Sequence, residues 1–170
     1  MNTNDKLIDL TYLEQSFGSD LIPEMLNLYK EQVPEFTEDI QKSFEKSDWL
    51  ALSKVAHKAK GSWVIVGTKK YADMFRNFQL ICETFHFHKL NIITQDRDLN
   101  EDEQKVFDEL KERRIDVDAE LDVDTTKLLL EELDRFKNGE KLQIVPEYTE
   151  TSLRILKDSL LEVDEILSEF

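Results

Sequence analysis

Leu153, Leu156, Leu160, Val163, Leu167 and Phe170 follow one another at steps of three, four, three, four and three. At about 100° of rotation per residue, that spacing places all six on one side of an α-helix. A helix with one apolar side is stable only when that side meets another apolar surface. The chain supplies three more such stripes. Ile22, Leu26, Tyr29, Val33, Phe36, Ile40 and Phe44 form the longest, preceded by a Gly18 break, a cap at Ser19 or Asp20, and Pro23 in the tolerated first turn. Pro34 lies inside this helix, where it is expected to kink it. Trp49, Leu52, Ala56, Ala59 and Trp63 run from an Asp48 cap to Gly67, and Tyr71, Phe75, Phe78, Cys82 and Phe85 follow a cap at Thr68. Four one-sided helices bury one another most simply as an all-α antiparallel four-helix bundle. Its members are expected at about 20–47, 48–66, 68–90 and 147–170, with an extra helix from Leu10 to Phe17 in front.

The remaining segment, about 91–145, reads as an acidic insertion before the last helix. Between 95 and 124 it holds 13 acidic and 5 basic residues. A short helix is expected over Glu101–Arg114 and another over Thr125–Lys137, stopped by Asn138-Gly139. "IDVDAELDVD" alternates apolar and acidic residues with period two, which signals either a strand, paired with Leu142–Ile144, or a solvated disordered stretch. A chain of 170 residues accommodates one domain, 1–170, burying roughly 70% of its unfolded surface. The net charge of −15 argues against nucleic acid or an anionic membrane surface as partner. Cys82 is the only cysteine, and the start "MNTNDKLIDL" has neither a basic nor an apolar leader region. These features lead to the expectation of a soluble intracellular, cytoplasmic chain.

One stretch does not fit a purely structural helix. In "AHKAKGSWVIVG", Ala56–Gly67, the core-facing residues are Trp49, Leu52, Val55, Ala56, Ala59 and Trp63. On a helical projection His57 points roughly 140° away from their centre, toward solvent. Gly61 lies one turn further along on the same face, and Lys60 sits at i+3 beside the imidazole. A mid-helix glycine costs about 1 kcal/mol of helix propensity. Here it clears a landing area beside a solvent-facing imidazole, while the ammonium supplies positive charge where an anion would lie. That combination suits a histidine that carries a phosphoryl group and hands it to another protein. Lys54 and Lys58 add further positive charge around it, as either a docking feature or a solvated helix face.

The segment resembles the phosphorylation-site motif of histidine-containing phosphotransfer (HPt) proteins, H-x-x-K-G followed by a second glycine. His57, Lys60, Gly61 and Gly67 stand at the motif's spacing, and Ser62 is a common choice at its position. Gln79, at the border of the next helix's apolar face, stands where several members place a glutamine beside the phosphohistidine. The resemblance covers about residues 10–90 plus the terminal helix, and the size and insertion resemble the eukaryotic stand-alone type. Trp63 departs from it, because that position is usually small. The resemblance implies a phosphoryl carrier without kinase activity, working between receiver domains of a hybrid histidine kinase and of response regulators. It implies His57 as phosphoacceptor, Lys60 offsetting phosphoryl charge, and Gln79 orienting the ring. Gly61, Ser62, Val64 and Gly67 are implied to shape the docking face. No cofactor of its own is implied, since Mg²⁺ belongs to the partner receiver.

Other chemistries fare worse. Cys82 and His86 stand at i,i+4, with His88 nearby, but this is too small a set for zinc. The acidic stretch lacks the calcium-loop spacing with its central glycine. A carboxylate-based metal hydrolase needs inward-facing acids, and the acids here are expected on outward faces. A non-phosphorylated helical adaptor is the alternative reading, though it gives no reason for Lys60 and Gly61 to flank His57.

Overall fold

The computed structural model describes residues 6–170, and for 114–120 the backbone alone. Among the described residues the chain forms α1 (Leu10–Phe17), a 3-10 turn (Ser19–Leu21), α2 (Ile22–Glu45), α3 (Trp49–Val66), α4 (Lys69–Ile93), α5 (Glu101–Glu120), α6 (Val123–Lys137) and α7 (Ile144–Leu167). The fold is all-α. None of these helices is long and apolar enough to cross a membrane.

Local chemistry accounts for most of the boundaries. Asp48 begins α3 by accepting a hydrogen bond from the Ala51 N–H at 3.0 Å, and the Gly67 N–H closes it onto the Trp63 carbonyl at 2.9 Å. Gly18 ends α1 with φ of +80°, a conformation that glycine adopts without strain. Two expected caps are corrected. Neither Ser19 nor Asp20 caps α2, because the chain first makes a 3-10 turn and α2 starts at Ile22 with no side-chain cap. Thr68 stands at the cap position of α4, yet its hydroxyl makes no capping bond. α2 runs on past Pro34 as one helix.

The four long helices pack on one another. α2 packs on α3, α3 on α4, α4 on α7, and α7 back on α2, closing a circuit. Ile22, Leu26, Tyr29, Val33, Phe36 and Ile40 are buried on α2, and Tyr71, Phe75, Phe78, Cys82 and Phe85 on α4. The buried face of α7 is turned from the leucine stripe. Val145, Thr149, Ser152, Ile155, Leu156, Ser159 and Val163 are buried, while Phe170 is exposed. Two of the buried hydroxyl residues on that face, Ser152 and Ser159, find partners. Ser159 Oγ is 2.6 Å from the Tyr29 hydroxyl, and Ser152 donates to the Thr149 carbonyl.

The corner between α3 and α4 is closely packed around Trp63. Trp63 is fully buried, with its ring 6.0 Å from Tyr29, 5.8 Å from Tyr71 and 5.7 Å from Phe75, centre to centre. Leu7–Asp9 lies along the same corner: the Thr68 N–H donates to Leu7 O, the Asp9 N–H donates to Val66 O, and the Leu7 N–H donates to Glu162 of α7.

The acidic segment is more ordered than expected. The stretch read as a strand or disordered is helical to Glu120, and Leu142–Ile144 pairs with no strand; an isolated bridge between Ile8 and Gly67 is the sole β-pairing among the described residues. A strand needs a partner edge, whereas a helix satisfies its own N–H and C=O groups. Gln143 and Ile144 are committed elsewhere, as the start of α7. Their N–H groups donate to Glu132 of α6 at 2.8 and 3.5 Å. Glu132, wholly buried, also accepts from Arg135 at 3.0 Å. α5 lies on α4, where Phe107 stacks on Phe87 at 4.9 Å, and α6 joins the core through Leu129, Leu133 and Phe136.

A Cβ added at Gly67 would stand 1.9 Å from the Trp63 ring. Gly67→Ala is therefore expected to destabilise the protein by about 1–3 kcal/mol, the usual range for overpacking, measured by thermal unfolding. An unchanged melting temperature would show that the corner is looser than its geometry.

Candidate functional site

α3 presents its small buried residues, Ala56 and Ala59, toward the core and His57 toward solvent. Small residues at a helix contact let two backbones approach closely. α3 and α4 pack along much of their length, and this brings Gln79 of α4 to His57. Gln79 is buried more deeply than its border position suggested, 4% exposed, and its Oε1 lies 3.1 Å from His57 Nδ1.

The other expected residues divide between the surface and the core. Lys60 is half-buried on α3, one position before Gly61, and makes no ion pair among the described residues. Gly61 is exposed, and a Cβ added there would meet nothing within 4 Å, so the space beside His57 is open. Ser62 Oγ donates to Gln32 Oε1 of α2 at 2.7 Å. Val64 is 56% exposed, and Ile65 and Leu28 are exposed as well. Met25, Leu28, Gln32, Gly61, Ser62 and Ile65 line a shallow groove of about 200 Å³ between α2 and α3. Lys54 and Lys58 are exposed on α3.

Gly67 does not belong to this face. It is buried, and its lack of a side chain makes room for Trp63, which explains how so large a ring fits at this corner. The two glycines of the motif thus have opposite surroundings, one in open space and one under an indole.

Behind Gln79 lies a pair of residues that the sequence reading missed. Gln79 Nε2 donates to Glu83 Oε1 at 3.0 Å, and Arg113 of α5 donates to the same oxygen at 2.8 Å. Glu83 is 6% exposed, whereas the Arg113 side chain is 49% exposed. Gln79 and Glu83 stand at i,i+4, a spacing at which side chains meet on a helix, so half of this chain of contacts was open to detection. Nothing in the sequence singles out Arg113 among the basic residues of its segment.

The expectation that all acids face outward is corrected by Glu83 and Glu132, both buried, Glu83 paired with Arg113 of α5 and Glu132 with Arg135 on its own helix. No group of three or more His, Cys, Asp or Glu residues arranged to hold a metal ion occurs among the described residues. Burial pushes the Cys82 thiol well above its ordinary value, with the nearby Glu83 adding to the effect. His86 is shifted down by burial and by Lys89. No protein-family model, curated protein or solved structure matches this chain.

Open space at Gly61 has an energetic consequence. Gly61→Ala is expected to stabilise the protein by up to about 1 kcal/mol, because alanine gains helix propensity and collides with nothing. Thermal unfolding of this variant beside Gly67→Ala should give shifts of opposite sign. A loss of stability at both positions would show that residue 61 is packed rather than open.

Proposed function

We propose that this chain is a histidine-containing phosphotransfer protein, in which His57 accepts a phosphoryl group from a receiver-domain aspartyl phosphate and passes it to the aspartate of another receiver. The observation that carries the reading is the contact of a solvent-exposed His57, through Nδ1, with buried Gln79, directly beside the unoccupied space over Gly61. On this reading α2, α3, α4 and α7 are the antiparallel four-helix bundle of that family. α1 and the α5–α6 insertion are additions to it.

With Nδ1 bonded to Gln79 Oε1, the proton resides on Nδ1 and Nε2 keeps its lone pair. Nε2 attacks phosphorus in line with the bond to the aspartyl oxygen. That bond breaks, and the departing carboxylate keeps its electron pair. The ring, now bonded to phosphorus at Nε2 and still protonated at Nδ1, carries a positive charge that Gln79 Oε1 helps to accommodate. Lys60 adds positive charge beside the phosphoryl oxygens. Transfer onward reverses these steps on the next receiver, whose own acidic pocket holds Mg²⁺, so this chain needs no metal. The exposed apolar residues Val64, Ile65 and Leu28 around the groove suit a receiver's docking face, with Lys54 and Lys58 as its polar rim. On this reading the protein acts as a monomer in the cytoplasm and the nucleus.

The test is phosphotransfer from a phosphorylated receiver domain. His57→Gln should lose all acid-labile label while unfolding at the wild-type temperature, and full labelling of that variant would sink the assignment. Gly61→Gln tests the approach of the partner. It should leave the fold intact but lower receiver affinity and transfer rate together, whereas normal transfer would mean that the open space is unused.

A further inference from the structure

Glu83 is a buried carboxylate, and the transfer chemistry so far gives it no task. Its Oε1 accepts two hydrogen bonds, from Gln79 Nε2 at 3.0 Å and from Arg113 at 2.8 Å. Its Oε2 is buried with no partner among the described residues. A carboxylate only accepts hydrogen bonds. The end of the Gln79 amide facing it must therefore be the NH₂, since two oxygens at this distance would repel and leave buried acceptors unsatisfied. With Nε2 committed to Glu83, the other end of the same rigid amide, Oε1, faces His57 Nδ1 at 3.1 Å. An oxygen at that position accepts and never donates, so the neutral imidazole is required to carry its proton on Nδ1. The nitrogen opposite is then left with a lone pair.

We propose that Glu83, clamped by Arg113 of α5, is a positioning residue that selects the reactive tautomer of His57 through the Gln79 amide. The proposal deepens the phosphotransfer reading of the same site and rests on it for its catalytic consequence. It also gives the acidic insertion a function. α5 delivers Arg113, whose positive charge lets a carboxylate sit 6% exposed beneath the site. When the ring becomes phosphorylated and positively charged, the relay places a carboxylate one residue behind it. The arrangement parallels metal-site histidines, whose outer carboxylates fix tautomer and ring orientation.

The tautomer is directly observable in the free, unphosphorylated protein by long-range ¹H–¹⁵N correlation of the ring nitrogens at alkaline pH. Wild-type His57 should show a single Nδ1–H form. Glu83→Met removes the acceptor while preserving volume, so Gln79 is free to turn over and His57 should become a mixture containing the Nε2–H form. Glu83→Gln should keep the Nδ1–H form, because its amide oxygen can accept both bonds. Arg113→Met, altered from the solvent side, leaves the buried carboxyl without its counter-ion. Glu83 Oε1 then loses the bond that holds it against the Gln79 amide, and the tautomer should again become mixed. If Glu83→Met does not fold, the arginine variant decides alone. A dominant Nε2–H form in the wild type, or an unaltered Nδ1–H form in the folded methionine variants, would overturn the proposal, as would scrambling in Glu83→Gln.

Labelling by phosphoramidate, a small donor that needs no docking, separates this proposal from the reading beneath it. Glu83→Met should label on the order of tenfold more slowly than wild type, as expected for loss of an outer hydrogen-bonding partner. A wild-type protein that keeps the Nδ1–H tautomer but takes no label would defeat the phosphotransfer reading and leave the positioning role standing. Normal labelling of a variant with a scrambled tautomer would overturn the catalytic consequence of the relay.

Discussion

Trp63 and Gly67 occupy one turn of chain at the end of α3, and their contact sets how α4 leaves the corner. The indole fills the space between Tyr29, Tyr71 and Phe75 completely, so the residue that turns the chain has no room for a side chain. Leu7–Asp9 is bonded along the same corner and to Glu162, tying it to α7. Once the turn is fixed, the register between α3 and α4 is fixed with it. Position 57 then lies opposite position 79, about three helical turns from the corner. A shift of one residue in that register would carry Gln79 about 100° round its helix and away from the imidazole.

The site divides into a stiff side and an open side. On the stiff side three contacts run in series: ring nitrogen to amide oxygen, amide nitrogen to carboxylate, carboxylate to guanidinium. Such a chain has one low-energy arrangement because its last acceptor, Glu83, cannot reverse its role. On the open side lie Gly61, the groove it shares with Met25 and Leu28, and the exposed apolar residues Val64 and Ile65. A group that must receive a large partner and still hold a defined geometry needs both sides, and α3 separates them by presenting one face to each.

The insertion illustrates how composition misleads. A stretch with 13 acids among 30 residues looks as though it should stay in water. It nevertheless provides Phe107 against Phe87 and Arg113 for the buried Glu83, and α6 beyond it adds Phe136 against Phe85 and the Glu132–Arg135 pair. Few apolar residues are enough when a completed core already offers a surface to lie on. The buried acids are tolerated because each has a guanidinium within hydrogen-bonding distance and further N–H donors around it.

The amino-acid sequence by itself determined α1 to α4, α6 and α7, the inward faces of α2, α3 and α4, and the outward direction of His57 and Gly61. All of these depend on local rules: a period of 3.6 residues, an aspartate cap, glycine at an end. It also marked Gln79 as a neighbour of His57, through the resemblance rather than through spacing. Only the tertiary structure decided that the leucine stripe of α7 is not the centre of its buried face, that Gly67 lies under Trp63, and that Arg113 reaches Glu83 across 30 residues of chain. Those outcomes depend on which helices meet and at what register. A one-dimensional pattern does not contain that information, because packing is settled by the combined shape of several faces at once.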